Sequence, residues 1–151
     1  MKNNLSRFFK GFGFAWQGIV YAVKTQQNFR FHLTAAVWVF ILSQFYDFSA
    51  AEKCVLILTV GSVLALELVN TAVEKTVDLY IKDAHPLAKA AKDTAAGAVL
   101  ISAAAAVCTA VVLFSDTAVL KEVAAFLMMP SALAGGIVLA VLSVIFIFKG
   151  I

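Results

Sequence analysis

Charge is what this chain has least of. Only 14% of its 151 residues are Asp, Glu, Lys or Arg, while 62% are hydrophobic. A soluble domain needs a polar surface, and about a quarter of its residues are usually charged. The shortage excludes an ordinary soluble enzyme and a disordered chain, and the mean hydropathy of +0.93 agrees. A strong excess of one charge sign is also missing. Twelve basic residues against nine acidic ones leave a net +3, too little for a basic nucleic-acid-binding domain. Cysteine is scarce too. Cys54 and Cys108 stand in apolar stretches without a neighbouring His or Cys, so they read as buried small hydrophobes, not a metal site or disulfide. No P-loop, kinase-type Gly-rich loop, dinucleotide fingerprint, nucleophile elbow or zinc motif appears. What remains is an integral membrane protein built from helices.

Four apolar segments stand out: Leu33–Phe48, Val55–Val73, Thr94–Phe114 and Val123–Phe148, the last interrupted by Pro130 and Gly135-Gly136. A hydrocarbon core about 30 Å thick needs ~20 helical residues, so the last three are long enough and the first is short. The N-terminus lacks a compact apolar run followed by a small-residue cleavage site, so no cleavable signal is expected. With four spans, ten of the twelve basic residues fall on one side. They are Lys2, Arg7, Lys10, Lys24, Arg30, Lys75, Lys82, Lys89, Lys92 and Lys149. Lys53 and Lys121 lie opposite. The positive-inside rule then places both termini and the second loop in the cytoplasm. Ahead of the first span, Phe8, Phe9, Phe12, Phe14 and Trp16 mix with Arg7, Lys10 and Lys24. That mixture suits an amphipathic helix of about residues 5–27 lying in the membrane interface. It serves either as a plain surface anchor or as one wall of a site.

The few charges are not scattered. Glu67, Asn70, Glu74 and Asp78 are spaced by three, four and four residues in an otherwise apolar stretch. At the helical period they share a sector of ~80°. A carboxylate at bilayer depth is expensive, so Glu67 needs a partner, a cavity or a shifted protonation. The stripe is either a polar seam between packed helices or a functional site. Three carboxylates and an Asn in register are more than packing requires, and oxygen donors of this kind suit Mg²⁺. Beyond it, Lys82, Asp83 and His85 form a loop, and Pro86 suits the first turn of the next helix. Lys89, Lys92 and Asp93 follow at that helix's start. Alone they read as a solvated loop with snorkelling lysines. Facing carboxylates and a metal ion, such lysines suit a polyphosphate.

The segment Glu67-Leu-Val-Asn70-Thr-Ala-Val-Glu74-Lys-Thr-Val-Asp78 resembles the signature of the small bacterial diacylglycerol kinases, a family that includes undecaprenol kinases. His85, the Ala91-Lys92-Asp93 run, Phe29-Arg30 and Trp16-Gln-Gly18 extend the resemblance over roughly residues 5–114. It implies an all-α integral membrane fold, with an interfacial helix and three spans at about 32–48, 53–80 and 86–114. Residues 1–114 would form the kinase domain, and 115–151 would add an extra C-terminal transmembrane helix. The resemblance also implies a homotrimer in the bacterial cytoplasmic membrane that moves the γ-phosphate of MgATP to a lipid hydroxyl. Glu67 would then be the general base, and Asn70 would position the hydroxyl or a phosphate. Glu74 would bind the metal ion. Arg7, Glu74, Asp78, His85, Lys92 and Asp93 would hold the nucleotide, and Arg30 with Glu67 would meet the lipid. The His85-to-Asp93 run looks closer to the undecaprenol kinases, which puts undecaprenol ahead of diacylglycerol as substrate.

One position departs from the family. Gln26 stands where a metal-binding Glu is usual, and an amide oxygen ligates Mg²⁺ without charge. It favours a second reading, a catalytically weakened or non-enzymatic scaffold that reuses the fold. A small proton-coupled transporter built on Glu67 is a weaker rival, because inverted repeats and paired broken helices are missing. Three roles are open to the tail: shielding the active-site helices, extending the trimer contact or shaping lipid access.

Overall fold

The computed structural model describes residues 2–150, and side chains from Ser6 to Gly150. Six α-helices account for nearly all of them. They are α1 (Lys2–Thr25), α2 (Gln27–Leu42), α3 (Ala50–Tyr80), α4 (Pro86–Leu113), α5 (Thr117–Leu127) and α6 (Pro130–Lys149), with a short 3-10 turn at Ser43–Phe45. Local chemistry sets most boundaries. Ser49 starts α3 with a reciprocal cap: its hydroxyl accepts from the Glu52 N–H, and the Glu52 carboxylate accepts from the Ser49 N–H at 2.8 Å. His85 and Pro86 start α4, and Asp116 caps α5 through the N–H groups of Ala118 and Val119.

Three helices are long and apolar enough to cross a membrane: α3, α4 and α6. Their apolar side chains face outward in number. Leu100, Ile101, Val107, Val111 and Val112 on α4 and Ile137, Val138, Val141 and Leu142 on α6 are all exposed. Outward apolar surface of this extent is the mark of a lipid-facing bundle. Cys54 and Cys108 are free thiols on exposed faces, not the buried hydrophobes expected.

Two expectations about spans need correction. Helix α2 begins earlier and ends sooner than the Leu33–Phe48 segment. Its 16 residues reach about 24 Å, short of the bilayer core, and the 3-10 turn completes the segment. The single fourth span expected at Val123–Phe148 is two helices. Met129 adopts an extended backbone because the following Pro130 disfavours helix there, and the Pro130 ring suits the first turn of α6. The Gly135-Gly136 pair does not break α6, and among the described residues of this chain nothing stands within 4 Å of a side chain added there.

The bundle is tied at both ends. At one end, Tyr46 stacks on Phe48 at 5.2 Å, both meet Phe114 edge-on, and the Tyr46 hydroxyl donates to the Phe114 carbonyl at 3.2 Å. Leu56 completes this buried cluster. At the other end lies the turn between α3 and α4, where the polar groups collect.

Candidate functional site

The carboxylate stripe runs along one face of α3, as its spacing predicts, and its burial is graded. Glu67 is 3% exposed and Asn70 7%, while Asp78 near the turn is half-exposed. From Glu67 to Asp78 is about 16 Å along the helix axis. Glu67 therefore sits deep, and Asp78 sits at the mouth.

Glu67 has a partner that the sequence did not announce. His32 on α2 places Nε2 3.3 Å from Glu67 Oε1. The pair bridges α2 and α3 and sets an imidazole nitrogen against the buried carboxylate. One turn on, the Thr71 hydroxyl donates to the Glu67 carbonyl at 2.9 Å. Asn70 Nδ2 donates to Glu74 Oε1 at 3.2 Å, and Asn70 Oδ1 is buried without a hydrogen-bond partner. A buried acceptor left open is costly unless something else occupies it.

At the α3–α4 turn an open cleft of about 560 Å³ is lined by Asp78, Asp83, His85, Lys89, Lys92 and Asp93, with Val77, Ile81 and Pro86 as its apolar floor. Lys92 Nζ meets Asp78 Oδ1 at 2.9 Å across the two helices, and Lys89 Nζ meets Asp93 Oδ2 at 2.6 Å along α4. Both pairs are exposed. Exposed ion pairs contribute little to stability, so an incoming anion breaks them at little cost. His85 Nδ1 accepts the Leu87 N–H at 3.2 Å, which leaves Nε2 as the donor directed away from the helix end. The cleft thus offers ammonium and imidazole donors to a polyanion and carboxylates to hydroxyls or a cation.

The cleft gathers Asp78, His85, Lys92 and Asp93 of the expected nucleotide set, and adds Asp83 and Lys89. Glu74 lies one turn deeper, beside Asn70. Arg7 is on exposed α1 and is not part of the cleft. Gln26 sits in the break between α1 and α2 with extended backbone, and its side chain caps neither helix. Among the described residues no group of three His, Cys, Asp or Glu converges on a metal position. Arg30, expected beside the lipid, is engaged with backbone carbonyls of its own chain. It is 6% exposed, and its guanidinium donates to the carbonyls of Val23, Lys24 and Ile147.

A second cavity, about 330 Å³, lies among α2, α3 and α4. Its lining is Phe31, Ala35, Ala36, Val39, Val60, Val63, Leu64, Ala103, Ala106, Val107 and Ala110, with His32 as the one polar side chain. An apolar groove therefore leads to the residue that holds Glu67.

A lipid-facing helical bundle with a buried carboxylate at the head of an apolar groove and a charged cleft above it defines an integral membrane protein of the all-α class. Residues 13–114 match the family described as prokaryotic diacylglycerol kinase. The chain belongs to that family and is a lipid kinase of bacterial membranes. It is similar to the undecaprenol kinase of Bacillus subtilis, 48% identical over 102 residues, covering 68% of this chain and 83% of that one. A diacylglycerol kinase of Synechocystis is also 48% identical, over 97 residues, covering 64% of this chain and 55% of that one. The diacylglycerol kinase of Escherichia coli K12 is 32% identical over 112 residues, covering 72% of this chain and 92% of that one.

Proposed function

We propose that this chain transfers the γ-phosphate of ATP to the hydroxyl of a membrane polyprenol, with undecaprenol ahead of diacylglycerol. The observation that carries the reading is the His32–Glu67 pair at the head of the apolar groove. The two 48% identical relatives carry different substrate names, so identity does not separate the lipids. The groove does favour one. Its lining has no donor beyond His32 for the ester carbonyls of a diacylglycerol, and a polyprenol has no such groups to satisfy.

Glu67 is the general base. It accepts the hydroxyl proton as that oxygen bonds the γ-phosphorus and the bond to the β–γ bridging oxygen breaks, releasing ADP. His32 orients its carboxylate. Lys92, His85 and Lys89 hold the polyphosphate, with Asp78 and Asp93 exchanging their lysine contacts for the nucleotide. Glu74 and the open Asn70 Oδ1 would hold Mg²⁺, since both offer the oxygen donors it takes. When bound, it neutralises charge on the transferring phosphoryl group.

The same reading takes α2 with the 3-10 turn that extends it as a short fourth span beside α3, α4 and α6, and the lysine distribution then puts both termini and the α3–α4 turn in the cytoplasm, where ATP is. Residues 1–114 form the kinase unit, with the tail added to it. Assembly as a homotrimer belongs to the proposal as well. It fits Arg7 lying outside the cleft of its own chain.

Purified protein in lipid nanodiscs, given ATP labelled at the γ-phosphate, should label undecaprenol faster than diacylglycerol. Label in neither lipid would sink the kinase chemistry, and label in diacylglycerol alone would overturn the polyprenol assignment. Lys92→Met should raise the KM for ATP by about tenfold, the scale of one charge-assisted phosphate contact, with a smaller effect on kcat. An unchanged KM would take Lys92 out of the nucleotide site.

Gln26 supports the second reading, a weakened enzyme or scaffold. If Gln26 lies at the metal, Gln26→Glu restores an anionic ligand and should lower the Mg²⁺ concentration at half-maximal turnover. An unmoved Mg²⁺ curve would place Gln26 away from the metal.

A further inference from the structure

The tail beyond residue 114 lies outside the family match, yet it reaches into the elbow between α1 and α2. Arg30 is the point of contact. Its Nη1 donates to the Val23 carbonyl at 3.0 Å and the Lys24 carbonyl at 3.4 Å, both in the last turn of α1. Its Nε donates to the Ile147 carbonyl at 3.0 Å, in the last turn of α6. The final carbonyls of a helix have no partner within it and carry the negative end of its dipole. One buried guanidinium therefore closes two helix C-termini from a position in the first turn of a third helix.

Two further contacts tie the same helices. Gly150 ends α6 at φ 71, and a Cβ added there would meet Arg30 Cζ and Nη1 at 3.4 Å. Absence of a side chain and the left-handed backbone together let the tail close over the guanidinium. Farther along, the Trp38 Nε1–H donates to the Ser143 hydroxyl at 3.1 Å. Both contacts reach α6 from α2, the helix whose His32 holds Glu67.

We propose that α6 is an intramolecular strap and that Arg30 is a positioning residue, which fixes the α1–α2 elbow so that α2 delivers His32 to Glu67. Gln26 is the one residue of the elbow outside helix, so the angle between α1 and α2 depends on the side-chain contacts around it, the strap among them. If α6 leaves, Arg30 loses one of its acceptors and α6 exposes an open C-terminus at the same moment. The activity part of the proposal rests on the kinase reading. The structural part does not.

The test uses the full chain in nanodiscs. Hydrogen–deuterium exchange is followed at the elbow amides of residues 24–30, alongside kcat and the KM for ATP. Three variants are compared: Arg30→Gln, Arg30→Lys and Gly150→Val. The last leaves Arg30 in place and puts a branched side chain where φ is positive. Arg30→Gln should speed elbow exchange by about tenfold or more, as local opening does when a closing contact is lost. Its kcat should fall while the KM for ATP holds. Arg30→Lys, which keeps the charge without the fork, should recover part of both, and Gly150→Val should shift exchange and kcat in the same direction. Elbow exchange equal to wild type in Arg30→Gln and Gly150→Val would overturn the strap. Faster exchange with unchanged kcat would overturn the positioning role. Failure of the kinase reading shows separately, as absent transfer by the unaltered protein.

Discussion

Glu67→Gln should lower turnover by about 10²–10⁴-fold, the span expected when a general base is removed. The substitution isolates chemistry from structure. Gln has the shape of Glu, and its amide can keep the 3.3 Å approach to His32 Nε2 that joins α2 to α3. What it lacks is the ability to take a proton. ATP binding should be unchanged, because the cleft that would hold the nucleotide lies at the α3–α4 turn and Glu67 does not line it. Paired measurements of single-turnover phosphoryl transfer and of nucleotide affinity check both halves. Retained transfer would remove Glu67 as the base.

Glu74→Gln should lower kcat by about 10²–10³-fold at physiological Mg²⁺, the scale of losing one electrostatic contact to the transferring group. It should also move half-saturation to higher Mg²⁺. The expected size follows from how little acid is available. No three His, Cys, Asp or Glu converge among the described residues, and the residue in the α1–α2 elbow is the neutral Gln26. Asn70 can still donate to a Gln oxygen at position 74, so local structure is kept and only charge is lost. Turnover measured across a Mg²⁺ series is the check. A wild-type curve would place the metal elsewhere.

The sequence announced the stripe because helical period alone aligns Glu67, Asn70, Glu74 and Asp78, and because apolar surroundings make each charge conspicuous. The turn was legible too, since Pro86 and the lysines around it are local signals. His32 was not. Its link to Glu67 crosses from α2 to α3, and periodicity says nothing about which faces of two helices meet. The acceptors of Arg30 were hidden for the same reason. Near a membrane boundary the residue reads as a headgroup contact, but its acceptors are backbone carbonyls, one of them more than a hundred residues away. The break at Met128–Pro130 was visible as a proline, yet hydropathy runs straight through it, which fused α5 and α6 into one segment. Cys54 and Cys108 were placed inside a core because an apolar stretch looks the same whether protein or lipid surrounds it.

The outward-facing Leu, Ile and Val side chains of α4 and α6 have a consequence for variants of this protein. In a soluble domain, trimming such a residue to Ala opens a void and weakens folding. Here Ile101 and Leu142 are largely exposed on the surface of the chain, so trimming either to Ala removes little that holds its own helices to each other. The loss falls on an earlier event, the partition of each helix from the translocation machinery into the bilayer. Sequence drift on these faces is then judged by the insertion apparatus and by bilayer thickness, and a defect there would show as low yield of protein that, once inserted, works normally.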